Sequence, residues 1–232
     1  MTRAVYVKEL KVTWASPLPY VLGAVFHAAL GVLAWGQLVG REQAVFQPIV
    51  PLAGFLLLLA APIIASRTVA EEIRTGTLEL LLAIPVSRAK FVTAKYLAIV
   101  TTLVVLLAPA GLFVLLLALY GSPDKGPIVT GCIGLVLLAA AVGAVGVFAS
   151  SLTASQPLAA IAGLFVVMVL WFAHAGSDVL SIGGFLGGFS LSERLRSFAG
   201  GSIDVGDVLF FVSIVVVALA AARVAVESRR WR

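Results

Sequence analysis

The chain alternates long apolar runs with short polar breaks, and this alternation limits its fold more than any other feature. Six runs stand out: Pro17–Val39, Gln47–Ala65, Phe91–Tyr120, Ile128–Leu152, Pro157–His174 and Asp207–Val226. A helix needs roughly 20 residues to cross a hydrocarbon core about 30 Å thick, so each run is of spanning length. The composition agrees: of 232 residues, 61% are hydrophobic and 12% charged, with a mean hydropathy of +1.12. Soluble domains are about 45–50% apolar and about 25% charged, so this chain lacks the polar surface a soluble fold of its size needs. Disorder, a disulfide scaffold and nucleic-acid binding are excluded on the same grounds. The expectation is an all-α polytopic membrane protein with six transmembrane helices, forming one domain over 1–232.

The remaining segments follow from their charge and breakers. Residues 1–16 carry Arg3, Lys8, Glu9 and Lys11 and are too polar to span. Val7, Leu10 and Trp14 share a helical face, which predicts an interfacial helix with Trp14 at headgroup depth. The 66–90 segment is a long polar loop between the second and third runs. Gly121–Pro127 is a turn, and Pro157 suits the first turn of the fifth helix. Residues 176–206 are too apolar for a free loop and read as re-entrant or interfacial helices. Within them Glu193 and Arg196, three apart, form a surface pair of little energetic weight.

Orientation follows from counting cations. With the N-terminus inside, twelve Lys and Arg lie on the inner side and four, Arg41, Lys125, Arg194 and Arg196, on the outer. That is the bias of a protein with both termini cytoplasmic. Cys132, the one cysteine, has no disulfide partner and is read as packing. His27 is open to two readings: an ionisable group at depth, or one residue on a close-packing face with Gly23 and Gly31. His174 reads as an interfacial side chain near Trp171. Pro51, Pro62 and Pro109 are candidate kinks. The small face of the fourth run (Ala139, Ala140, Gly143, Ala144, Gly146) predicts a helix contact, in the subunit interior or at a dimer seam.

The loop between runs two and three is the most informative stretch. Leu78, Leu81 and Leu82 recur on one helical face with Glu79 off it; Gly76 precedes them and Pro85 ends the pattern. A short amphipathic helix between breakers, flanked by charge, is suited to a groove in a cytosolic partner. The alternative is a helix that touches only headgroups.

Read as Glu-Glu-x-Arg-x-Gly-Thr-x-Glu-x-Leu-Leu-x-x-Pro-Val-Ser-Arg over Glu71–Arg88, this stretch resembles the signature of ABC-2-type transporter permeases. The likeness is strongest to the branch of gliding-motility and nitrous-oxide-reductase-maturation permeases. The tail is similar too, in Phe198, Gly200, Ile203-Asp204-Val205, Asp207–Phe211 and Arg229-Arg230-Trp231; Gly201 is an extra glycine relative to that branch. The resemblance implies a multi-pass subunit in a bacterial inner membrane, the permease of an ATP-driven exporter working by alternating access. It implies two permease subunits, identical or related, and two copies of a cytosolic ABC ATP-binding subunit. An extracytoplasmic accessory protein stays open, and no nucleic acid is expected. Carried onto this chain, Gly76–Arg88 is the coupling helix, moving through Thr77–Ala83, and Glu71 and Glu72 lie on the helix before it, near the ATPase contact. The ATPase-coupling residues are therefore Glu71, Glu72, Gly76, Thr77, Leu78, Glu79, Leu81, Leu82, Pro85, Ser87 and Arg88.

The sequence contains no phosphate-binding loop, no ABC signature and no Walker B carboxylate. No enzyme activity, catalytic residue, metal or cofactor is expected in this chain, and ATP and Mg are expected in the partner. Two readings from other classes stand beside this one. The first is an ATP-independent secondary carrier, disfavoured because charges inside the runs are scarce. The second is a non-transporting membrane anchor for a cytosolic complex.

Overall fold

A computed structural model describes residues 2–40, 46–77, 88–108, 110–120, 124–174 and 188–228. The described residues are 88% helical and contain no strand. In chain order the helices are α1 (Thr2–Ala15), α2 (Leu18–Gly40), α3 (Ile49–Ala65), α4 (Arg67–Arg74), α5 (Arg88–Leu107), α6 (Ala110–Tyr120), α7 (Lys125–Leu152), α8 (Gln156–Trp171), α9 (Leu191–Ala199) and α10 (Val205–Ser228).

Five stretches among the described residues are long and apolar enough to cross a membrane: Leu18–Gly36, Ile49–Arg74, Arg88–Leu115, Lys125–Leu152 and Val205–Ser228. The fifth expected span forms α8, whose 16 residues rise about 24 Å at 1.5 Å each. The third expected run is divided. α5 ends at Leu107 and α6 begins at Ala110, with the amide of Gly111 bonded to the carbonyl of Ala108 at 3.0 Å. Pro109 lies outside the described residues. Pro157 stands in the first turn of α8 as expected, and Asp124 caps α7 by accepting from the amide of Gly126 at 3.0 Å.

α7 is the central post, packed against α10, α3, α8, α9, α5 and α4. Its small face lies in the subunit interior. A methyl group placed on Gly146 would stand 2.6 Å from the Cβ of Ala65 on α3, and one on Gly143 would touch Leu103 and Ile99 of α5. Backbones can approach this closely only where side chains are small, which is how apolar helices associate without a hydrophobic drive between them. The apolar surface sorts accordingly. Two thirds (67%) of the spanning windows of α3–α4 and α7 are buried, against 17% for α10 and 22% for α2. In a bilayer the exposed Val, Leu and Phe of the peripheral helices face lipid. Cys132 falls on such an exposed face, which corrects the packing role expected for it.

At the end of α7 that begins with Lys125, α9 closes the bundle. Leu191, Leu195 and Phe198 are buried, and Phe198 lies against Gly134 of α7. Ser190 caps α9 and, with Ser192, donates to the Trp171 carbonyl at 3.2 and 2.9 Å. Thr130 of α7 donates to the Phe198 carbonyl at 2.6 Å. Arg194 of α9 reaches the buried Asp207 of α10 at 2.6 Å and lies 5.2 Å over the ring of Phe210. The expected Glu193–Arg196 pair is present at 3.4 Å, with Arg196 largely in solvent. Residues 176–187 of the expected re-entrant segment lie outside the described residues. Gly201 adopts φ +91° beside Pro127. The extra glycine therefore occupies a left-handed turn position that a side chain would strain.

Gly146→Val is expected to destabilise the protein by about 1–3 kcal/mol through overpacking against Ala65. Gly36→Ala, where a methyl group meets nothing within 4 Å, should leave the thermal unfolding midpoint in detergent unchanged or raised.

Candidate functional site

α3 and α4 meet at Ser66, whose own dihedrals stay helical at φ −55°, ψ −31°. Two sequence features divide them. Pro62 cannot donate to the carbonyl one turn back. Ser150, reaching from α7, inserts its hydroxyl into the helix ladder. Its Oγ accepts from the amides of Val69 and Ala70, each at 3.0 Å, and donates to the Ser66 carbonyl at 2.8 Å. Those amides would otherwise serve the ladder itself, and a side chain inserted there is a recognised cause of a helix break. α4 thus begins at a fixed point on the central post.

α4 ends as the sequence predicts. Thr75 is the C-cap, with its amide bonded to the Glu71 carbonyl, and Gly76 follows at φ +69°. This is the left-handed residue that commonly terminates a helix. Thr75 Oγ1 donates to the Glu71 carbonyl at 2.9 Å and lies 3.0 Å from Thr77 Oγ1.

Between these two ends, the adjacent carboxylates of α4 point in different directions. Glu71 is partly exposed and is held by Arg74 on its own helix and by the side-chain amide of Gln156 at the start of α8. Glu72 is turned inward and is 7% exposed. Its Oε1 takes Lys8 of α1 at 3.1 Å, and its Oε2 forms an ion pair with Lys95 of α5 at 3.0 Å. Lys95 is fully buried, at 0% exposure. It also donates to Glu9 of α1 at 2.7 Å and to the Thr68 carbonyl of α4 at 2.6 Å, and it stands 5.1 Å from the ring centroid of Phe91. Two lysines and two glutamates make this cluster formally neutral. The ammonium donates to two oxygens, those of Glu9 and Thr68, and has the Glu72 carboxylate beside it as an ion-pair partner, so the buried cation is both hydrogen-bonded and paired. Beside the cluster, a cavity of about 100 Å³ lies between Val12 of α1, Ser16 just after it, and Arg67 and Glu71 of α4.

The sequence-predicted site residues therefore divide. Glu71, Glu72, Gly76 and Thr77 lie together on α4 and its cap. Arg88 opens α5 and pairs with Glu227 near the end of α10. Leu78, Glu79, Leu81, Leu82, Pro85 and Ser87 lie outside the described residues. Sequence reasoning missed Glu9, Lys95 and Ser150. Lys95 did carry a signal, since it follows Phe91 and Val92 within an apolar run, and a cation there needs a partner. For His27, Nδ1 donates to the Gly23 carbonyl at 2.6 Å. Gly23 and Gly31 meet Leu106 and Phe113 closely, so that face of α2 packs against α5 and α6. His174 lies 3.9 Å from Glu193. Among the described residues no group of three or more His, Cys, Asp or Glu could hold a metal ion.

Long apolar helices around a small-residue post, with charge gathered where α1, α4 and α5 meet, define a multi-pass membrane protein. The chain belongs to the ABC-2 family of transporter proteins, whose profile matches residues 8–183, including α4 and the segment that follows it. It is a membrane permease component, not itself catalytic, of a family that works with an ATP-binding subunit. A comparison with curated proteins finds no match.

Lys95→Met leaves Glu9 and Glu72 buried without their shared cation. It is expected to cost about 3–5 kcal/mol, the usual loss when one partner of a buried pair is removed. Glu9→Gln/Glu72→Gln/Lys95→Met, which removes all three charges, should recover most of that in SDS-denaturation midpoints. Ser150→Ala strips the acceptor from two buried amides and should cost about 1–3 kcal/mol in the same assay.

Proposed function

We propose that this chain is the membrane-spanning subunit of an ATP-driven exporter of the gliding-motility and nitrous-oxide-reductase-maturation branch, acting as one of a pair of identical or related permeases. The whole chain, 1–232, is one transmembrane domain with six crossings, α8 and the residues after it supplying the fifth, and both termini are cytoplasmic in a bacterial inner membrane. Two cytosolic ATP-binding subunits bind ATP and Mg and supply the work. Gly76–Arg88 is the coupling helix, with Glu79 and the Leu78, Leu81 and Leu82 face seated in the partner. Closure of the ATP-binding pair displaces this helix and opens the pathway outward by alternating access.

The observation that carries the reading is the family match across residues 8–183. The form of α4 supports it. The helix is anchored at its start by Ser150 and cut at its end by a left-handed glycine, so the segment after Gly76 sets off from a defined point. The charge arrangement agrees with this, because Glu71 remains partly exposed on the side away from the buried cluster.

The test is affinity purification of the tagged chain from native membranes in mild detergent, with mass spectrometry and ATPase assay of what co-purifies. A stoichiometric ATP-binding subunit should be recovered with the native chain and reduced at least tenfold with Glu79→Arg. A chain that purifies alone, or an association indifferent to Glu79, would sink the coupling role and favour the carrier or anchor.

A further inference from the structure

Lys95 joins helices that share little surface. α1 rests on α5 and α2, whereas α4 rests on α7, α3 and α8, and the cavity of about 100 Å³ lies between α1 and α4. Across that gap the connection is made by charge. Lys8 reaches Glu72 directly at 3.1 Å, and Glu9 reaches α4 through Lys95, which binds both Glu72 and the Thr68 carbonyl. Such a tie fixes the separation of two helices without interlocking their side chains. As a way to stabilise the fold alone it is poor, because neutral side chains of similar volume serve a buried site as well or better. What charge adds is one defined arrangement, since any other leaves an ion buried without its partner.

Resting on the permease reading above, we propose that Lys95 is a positioning residue for the coupling segment. It pins α1 and α4 to the first turns of α5, so that a displacement passed to α4 from the loop beyond Gly76 carries α1 with it. Glu72 then acts inward as a strut, and Glu71 is the member of the pair available to a partner. The N-terminal helix becomes a moving part of the machine, set in motion by a residue far from it in sequence.

The experiment uses the full complex of the chain with its co-purifying ATP-binding subunit, in lipid nanodiscs and a Cys132→Ser background. Spin labels at Lys11 and Arg74 report the distance from α1 to the free end of α4. Labels at Arg74 and Lys125 report pivoting of α4, about its anchor at Ser150, against the far end of α7. Both are read without nucleotide and after trapping with ATP and vanadate. Nucleotide should change the Arg74–Lys125 distance and leave Lys11–Arg74 fixed. In Lys8→Gln/Glu9→Gln, which frees α1 and leaves Lys95 paired with Glu72, the Arg74–Lys125 change should persist. The Lys11–Arg74 distribution should broaden at least twofold and become nucleotide-dependent. Glu9→Gln/Glu72→Gln/Lys95→Met, with its fold retained, should do the same, although a purely structural cluster would be fully rescued by neutralisation. The proposal is overturned if Lys11–Arg74 shifts with nucleotide in the native cluster, or stays fixed in either variant. An Arg74–Lys125 distance indifferent to nucleotide removes the permease reading and this proposal with it, which separates the two failures.

Discussion

A buried ammonium ion needs acceptors for its protons and a counter-charge, and meeting that need at Lys95 determines how one end of this protein is assembled. It donates to Glu9 of α1 and the Thr68 carbonyl, and the Glu72 carboxylate of α4 stands beside it as an ion-pair partner. α1 must therefore lie where Glu9 can reach the first turns of α5, and α4 must present Glu72 inward. The orientation of α4 then decides that of its neighbouring carboxylate: with Glu72 facing in, Glu71 faces out toward Arg74 and Gln156. Ser150 fixes the same helix along its axis by occupying two of its amides and the carbonyl before it. Rotation and translation of α4 are thus set by different side chains from different helices. The family match that makes this chain a transporter component covers this whole assembly.

Elsewhere the architecture rests on size rather than charge. Gly143 and Gly146 let α7 approach α5 and α3, and Gly134 receives Phe198 of α9. Exposed apolar side chains, Trp35 of α2, Phe165 of α8 and Leu209 of α10 among them, lie on the outer surfaces, where hydrocarbon solvates them. Ion pairing reappears at the other end, where Arg194 and Asp207 join α9 to α10. The bundle is held at both ends by ions and through its middle by close contact of small residues, a division that follows from what each environment rewards.

Much of this was legible in the sequence. Apolar runs at spanning length gave α2, α3, α7 and α10 within a few residues, because a membrane helix satisfies its backbone internally and needs little from its neighbours. Gly76 was legible as a breaker for the same local reason. What could not be read was pairing between distant segments. Lys95 lies in an apolar run, and its partners lie 86 and 23 positions away, at Glu9 and Glu72. Nothing in the sequence around Ser150 reveals that it enters another helix's ladder. Glu72 illustrates the difference best: the motif located it, but only the fold shows that it faces inward, unlike Glu71 beside it.

The unequal lengths of the helices have a consequence for the surrounding lipid. Taken as a crossing, α8 offers about 24 Å of apolar height, less than the roughly 30 Å of an average bilayer interior. α7, with 28 residues, is far longer, and two thirds of its spanning window is buried. The exposed face of α8, with Leu158, Ile161, Phe165 and Val169, therefore meets the membrane on a short flank, and the longer α10 meets it on a tall one. Hydrocarbon adapts to both by thinning on one side and stretching on the other. On that reading of α8 alone as the crossing, the protein would carry a thickness gradient around its circumference, and lipids of different chain length would partition unequally along it.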